Sequence, residues 1–240
     1  MNFKDLLKKA LIHLHLDVTK NMQYDRYTRQ IMKHVLKPDS NCIDIGCFKG
    51  EILEEMIKLA PDGRHFAFEP LHDYFEQLIG RFSGKATIFP YALTDSEGIS
   101  EFKYVKNAPA YSGLKIRDYN IKKPDIETIG VETRPLDTLI PESCPIHFIK
   151  IDVEGGEFQV FIGARNLLKR NKPVVVFESG ISASKYYNTK PEEIFDFLTN
   201  QVNLKLSLLK DFIGKKRPLT RSNFLKVYNS EQEYYFVAHL

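Results

Sequence analysis

The 240-residue sequence predicts an α/β fold: a mostly parallel, doubly wound sheet that closes on an antiparallel C-terminal strand and is preceded by N-terminal helices. Three observations predict it. From residue 41 onward, short apolar runs alternate with helix-length segments, which is how strand, crossover helix and strand read in a sequence. Those runs are apolar almost throughout, as expected of strands covered by helices on both faces. The last two strand-like runs have no clear crossover helix between them, so their simplest pairing is antiparallel.

The elements follow in order. Phe3, Leu6, Leu7, Ala10, Leu11 and Leu14 recur at three- and four-residue steps, with Lys4, Lys8 and Lys9 on the other side. This spacing predicts an amphipathic helix packed on the domain or on a second copy, making a homodimer through the N-terminal helices an expectation. A second helix is predicted over 24–36, ending before Pro38. Strands then fall in NCIDIG (41–46), RHFAFE (64–69), ATIFPYAL (86–93), IHFIKID (146–152) and PVVVFES (173–179), with helices over 49–60, 71–82, 156–170 and 191–200. NLKLSLL (203–209) and EYYFVAHL (233–240) form the closing pair, joined by turns and the basic stretch GKKRPLTRSN. Between 99 and 135 the rhythm lapses into two β-segments, ISEFKYV and IETIGVETRPL, around a polar loop whose length points to function or disorder.

Composition narrows the function classes. With 34 basic against 31 acidic residues the net charge is +3, so no general attraction to nucleic acid follows and none is expected as a partner. Cys42, Cys47 and Cys144 show neither CxxC nor metal-ligand spacing, which argues against a disulfide framework or a zinc site. His13, His15 and Asp17 interrupt the first apolar stretch, and no run reaches the roughly 18 apolar residues of a membrane span. The expectation is a soluble, cytoplasmic protein.

The stretch Ile43-Asp44-Ile45-Gly46-Cys47-Phe48-Lys49-Gly50 is the first candidate site. Glycines after a first strand let backbone approach a ligand, and the following helix N-terminus offers free N–H groups. A dinucleotide fingerprint requires G-x-G-x-x-G, but Phe48 stands where its middle glycine would admit a pyrophosphate. Asp44 adds a carboxylate at the strand end, suited to a cationic amine, which S-adenosylmethionine carries and NAD does not. Capping of the loop N–H groups is the structural alternative for Asp44. Glu69 ends the next strand, where an acid accepts hydrogen bonds from ribose hydroxyls, and Pro70 holds it extended. An NAD-linked oxidoreductase stays as the alternative enzyme class.

These residues resemble the FkbM family of S-adenosylmethionine-dependent methyltransferases, over about residues 41–179. IDIGCFKG resembles the family's D-x-G-A-N-x-G loop, FAFEP its F-E-P strand end, YALTDSEG its A-L-S-D-x-x-G turn, TRPLDTL its T-L-D-x-L element and IKIDVEGGE its K-x-D-x-E-G-x-E signature. The resemblance implies a Rossmann-like methyltransferase fold over 41–240 behind a helical extension over 1–40. It also implies S-adenosylmethionine as cofactor and O-methylation of a hydroxyl on a sugar, glycan or other small molecule. A non-catalytic cofactor-binding or assembly module of the same fold is the alternative. Cys47, Phe48 and Lys49 depart from the family's A-N-x, so a contact from its Asn side chain is missing, while backbone contacts from Gly46 to Gly50 survive. Pro135 predicts that its β-segment lies at an edge or ends there. By the same analogy Ala92 and Leu93, after Tyr91, border the adenine.

Methyl transfer needs an aligned acceptor, a dry site and a place for the acceptor proton. Strand alternation puts Lys150, Asp152 and Glu154 on one side, near Glu157 and Glu178. Asp152 and Glu154 are the candidates for the base or the acceptor-binding acid, with Lys150 as charge partner; a Lys150–Glu154 ion pair and helix capping by Glu157 are the structural alternatives. Asp152 is also placed beside the cofactor. A divalent metal is conceivable among so many carboxylates but is not favoured, and no metal ligand is assigned. His72 reads as a helix-start surface residue, and His147 as packed or hydrogen-bonded on the opposite sheet face. The 106–124 loop, with Tyr111, Arg117 and Tyr119, is a candidate cover for the acceptor.

Overall fold

The computed structural model describes residues 19–119 and 121–240. The amphipathic helix expected over 3–14, and the dimer contact assigned to it, lie outside the described residues.

Helix α1 (Lys20–Val35) starts four residues earlier than expected, because the Thr19 side chain accepts a hydrogen bond from the Met22 N–H and caps it. Then come β1 (Cys42–Ile45), α2 (Glu51–Leu59), β2 (His65–Phe68), α3 (His72–Phe82) and β3 (Thr87–Phe89). β4 (Ala92–Leu93), β5 (Gly98–Val105) and β6 (Ile126–Arg134) form a separate three-stranded sheet in the order β4-β6-β5. The run 86–93, expected as one strand, is thus divided between two sheets. Pro90 supplies no N–H for a continuous ladder, which suits the break. β6 ends at Arg134, just before Pro135, and is the central strand of its sheet.

β7 (Phe148–Ile151), α4 (Glu157–Gly163), α5 (Arg165–Asn171), β8 (Val174–Glu178), α6 (Ile181–Ser184) and α7 (Pro191–Asp196) follow. The single helix expected over 156–170 is broken at Ala164, and α7 runs on into a π-helical turn, Phe197–Gln201. β9 (Lys205–Leu208) and β10 (Tyr235–His239) pair antiparallel as expected. Two helices, α8 (Leu209–Ile213) and α9 (Arg221–Asn229), stand where only turns were expected. Both are short, too short for their periodicity to stand out from the basic loop around them.

The large sheet has the order β3-β2-β1-β7-β8-β10-β9, with β3, β2, β1, β7 and β8 mutually parallel and β10 antiparallel to both its neighbours. Successive crossovers run outward from β1 on one side and from β7 on the other. Chain direction therefore diverges between these strands, and a crevice opens beyond their carboxyl ends.

The two faces of the sheet bury different rows. Ile43, Ile45, Ile149, Ile151, Val175 and Phe177 enter the larger core with α4, α5, α7 and α9. Cys42, Phe148, Val176 and Val237 enter the other, against Tyr24, Ile31 and Met32 of α1 and Ile52 and Met56 of α2. Ile31 and Met32 have no solvent exposure, and each contributes roughly 1.5 to 3 kcal/mol by its burial. Alternation carries that second row directly to the site: two residues on from Cys42, Phe148 and Val176 come Asp44, Lys150 and Glu178, and two before Val237 comes Tyr235. One sheet face is thus apolar under the body of α1 and polar at the crevice.

Candidate active site

At the crevice lies a cavity of about 450 Å³, whose lining includes Asp44, Gly46, Cys47, Phe48, Glu69, Pro70, Ala92, Leu93, Lys150, Asp152 and Glu154. The sequence-derived candidates therefore share one space, with the exception of Gly50. Gly50 lies behind the loop with φ +70°, and a Cβ there would stand 2.6 Å from Phe82 and 2.7 Å from Leu78. Its role is close packing of α2 on α3.

Gly46 N–H and Cys47 N–H both donate to the Phe68 carbonyl, Phe48 N–H to Glu69 Oε2 at 2.9 Å, and Gly50 N–H to the Cys47 carbonyl. A loop whose amides are spent within the protein is no phosphate cradle, which counts against a dinucleotide. Glu69 and backbone carbonyls take these N–H groups, while the amide that favours the charge of Asp44 is Leu53 N–H, in the first turn of α2. Phe48 sits in the left-handed region at φ 47°, where Asn is tolerated and a bulky residue costs roughly 1 to 2 kcal/mol. Its ring packs on Tyr74 at 4.5 Å and lies under Lys49 Nζ at 5.4 Å, contacts that offset the strain.

Asp44 pairs in register with Ala67 on β2 and Lys150 on β7, and is 1% exposed. Neither carboxyl oxygen meets the geometry of a hydrogen bond within the protein, although the Lys150 ammonium and the Leu53 N–H favour its charge. Burial prevails and pushes its pKa up to about 6. Glu69 is also buried; its Oε1 accepts from Leu71 N–H at 2.9 Å, and burial raises it to about 7 against the pull of that amide and of Phe48. Each oxygen retains an acceptor lone pair.

Lys150 Nζ lies 3.0 Å from Asp152 Oδ2, which also accepts a 2.8 Å hydrogen bond from the Tyr235 hydroxyl. Burial raises the Asp152 pKa, but Lys150 and the hydrogen bonds outweigh it and hold the carboxyl below its ordinary value. Glu154 reaches the cavity differently from the expected alternation. β7 ends at Ile151, and Glu154 stands in a left-handed turn at φ 61°. It pairs with Arg117 of the 106–124 loop, so the expected Lys150–Glu154 alternative is replaced by two pairs, Lys150–Asp152 and Arg117–Glu154. Burial, then repulsion from Asp152, raises the Glu154 pKa, with Arg117 opposing. Burial and the carboxylates of Asp152, Glu154 and Glu157 push Glu178 well above its ordinary value.

Glu157 Oε1 accepts from Val153 N–H at 3.2 Å and Gly155 N–H at 3.0 Å, so it shapes the turn that presents Glu154. Glu157→Ala is expected to cost about 1 to 3 kcal/mol, lowering the thermal midpoint in a melting experiment by several degrees, because two amides, that of Gly155 buried and that of Val153 half-buried, lose their acceptor. His72 is exposed, and His147 Nδ1 accepts from Asn41 N–H at 2.9 Å; neither lines the cavity. The 106–124 loop does form a wall through Pro109, Ala110, Tyr111, Ser112 and Leu114.

Sequence reasoning missed Asn21 and Asp25 of α1, Glu51, and Tyr235 of β10, all of which line the cavity. Tyr235 sits at the strand end that alternation aligns with Glu178, a signal legible only once β10 is known to pair with β8. Altogether the lining carries Asp25, Asp44, Glu51, Glu69, Asp152, Glu154 and Glu178 against Lys49 and Lys150. Such a surplus of carboxyl groups suits a cationic ligand and repels a pyrophosphate. Among the described residues no group of three or more His, Cys, Asp or Glu is arranged to hold a metal ion, and no helix is long and apolar enough to cross a membrane.

The crystal structure of methyltransferase FkbM from Methylobacillus flagellatus KT is similar at a TM-score of 0.53 and 13% identity, over 98% of this chain and 59% of that one. The architecture is a Rossmann-like methyltransferase fold. Residues 44–204 match the methyltransferase FkbM domain, and the chain belongs to that family. The 2-O-methyltransferase NoeI of Sinorhizobium fredii (strain NBRC 101917 / NGR234) is 27% identical over 160 residues, 60% of this chain and 65% of that protein. Both matches span less than two thirds of the relative's own length.

Proposed function

We propose that this protein uses S-adenosylmethionine to methylate a hydroxyl group of a sugar, glycan or other small molecule. The observation that carries the reading is Asp44: a buried carboxyl with no well-formed hydrogen bond within the protein, lining a cavity rich in acids. It is a counter-charge for the cofactor's ammonium group. Glu69 has lone pairs left for ribose hydroxyls, and Ala92, Leu93 and Leu71 offer an apolar border for the adenine. When bound, the cofactor supplies an electrophilic methyl group on a sulfonium centre.

The chain's own residues do the rest. Asp152, kept ionised by Lys150 and Tyr235, accepts a hydrogen bond from the acceptor hydroxyl and orients it. Glu154 takes its proton, since a carboxyl with a raised pKa is matched to proton transfer near neutral pH. Tyr111 and Leu114 on the loop exclude water from this end. The name of the relative NoeI, a 2-O-methyltransferase, favours a hydroxyl acceptor.

Two experiments test this. In calorimetry the protein is expected to bind S-adenosylhomocysteine and not NADH; the reverse result would make it an oxidoreductase. With methyl-labelled S-adenosylmethionine and a panel of extracts and purified glycans, label is expected in an alkali-stable ether. Tight cofactor binding with no transfer to any acceptor, amines and thiols included, would turn the reading toward a non-catalytic module.

A further inference from the structure

The cavity is partly lined by segments on either side of the family-matched stretch 44–204: α1 contributes Asn21 and Asp25, and β10 contributes Tyr235. Tyr235 is 9% exposed and gives its hydroxyl proton to Asp152 Oδ2, the same oxygen that Lys150 holds. Its ring is stacked on Tyr24 of α1, with centroids 4.7 Å apart and planes 23° from parallel. The Tyr24 hydroxyl is in turn fixed by Glu233 Oε2 at 2.6 Å, and Glu233 by Lys210 Nζ at 2.7 Å. An unbroken run of contacts therefore joins α8, α1 and β10 to the tip of β7.

We propose that Tyr235 is a positioning residue that fixes the rotamer and ionisation of Asp152, and that α1, by stacking Tyr24 on it, is an integral part of the acceptor site. This rests on the role assigned above to Asp152. A phenol donating to a carboxylate favours its charged form and restrains its rotation, two things a hydroxyl-orienting group needs. The charged and titratable groups around Asp152 are Lys150 on its own strand, Asp44 on β1, Glu154 and Glu157 beyond β7, Glu178 on β8 and Asp25 on α1. Only Lys150 among these is a cation. The phenol is therefore a neutral donor that, beside Lys150 and the proton held on Glu178, lets Asp152 stay ionised amid carboxyl groups without adding positive charge to the cavity.

The test needs no acceptor. The protein is labelled with carbon-13 at aspartate carboxyls, the Asp152 resonance is assigned by its loss in Asp152→Asn, and its titration is followed by NMR. In Tyr235→Phe, which keeps the stacked ring, the midpoint is expected to move up by about one pH unit or more, the worth of a hydrogen bond to a charged group. Tyr234→Phe, whose hydroxyl bonds Asn21 at 2.6 Å instead, is expected to leave it in place. Placing 3,5-difluorotyrosine at 235 strengthens the donor without removing it, and is expected to move the midpoint down even if Tyr235→Phe does not fold. A midpoint that ignores both changes at position 235 overturns the inference. S-adenosylhomocysteine affinity is measured alongside: its absence in the parent protein would defeat the proposed function, while the Asp152 titration would still judge Tyr235.

Discussion

Asp44→Asn is expected to weaken S-adenosylhomocysteine binding on the order of 100-fold, about 3 kcal/mol, while making the cofactor-free protein more stable. Both effects have one cause. Burial makes the Asp44 charge costly, and neither of its oxygens has a well-formed hydrogen bond within the protein; a bound ammonium would compensate it. The pH dependence has a definite sign. Asp44 titrates at about 6 and Glu69 at about 7 in the folded chain, both above their unfolded values. Between pH 4 and 7 the folded state therefore binds more protons than the unfolded one, and stability falls as pH rises through that window. For Asp44 alone the change is about 3 kcal/mol. Urea titrations at pH 5 and pH 8, without ligand, should show the parent losing stability at the higher pH and the Asn variant losing less. Ligand affinity should run the other way, falling below pH 6 as Asp44 is protonated. A variant that binds like the parent and is no more stable would remove Asp44 from the cofactor site.

Gly46→Ala is expected to be the most damaging single-methyl change in the crevice. At φ +71° an added Cβ would stand 1.9 Å from the Asp152 carbonyl oxygen, a distance no relaxation of a side chain can relieve because the obstacle is backbone. The left-handed conformation adds roughly 1 to 2 kcal/mol, and separating β1 from the tip of β7 a further ~1 to 3 kcal/mol. A fall of about 10 °C in the melting temperature is the outcome expected, with loss of S-adenosylhomocysteine binding in whatever still folds. Gly80→Ala is the control: it lies in α3 with nothing within 4 Å of the added carbon, and should gain up to about 1 kcal/mol. Equal tolerance of the two changes would mean that Gly46 is not at the junction of β1 and β7.

The residues that carry the site were legible to different degrees. Asp44, Gly46 and Glu69 could be found because local chemistry marks them: an acid at an apolar strand end, a glycine where backbone must approach, an acid before proline. Lys150 and Asp152 followed from strand alternation. Glu154 was found for the wrong geometric reason, since the strand stops at Ile151 and a left-handed turn delivers it. Arg117 was only a member of a loop until the ion pair tied it to Glu154. Asn21, Asp25 and Tyr235 had no local signal at all, because a helix near one end of the sequence and a strand near the other become neighbours only through the sheet order.

The alternation of strands and helices, the antiparallel closing pair, the family, and the two acids at successive strand tips are all readable along the chain, because each depends on residues close together in it. Folding in three dimensions set which lysine or arginine partners which carboxylate, how deeply Asp44 is buried, and that α1 and β10 line the cavity. Those outcomes depend on desolvation and on distances between segments as far as 209 residues apart, as with Tyr24 and Glu233, and no local pattern encodes either.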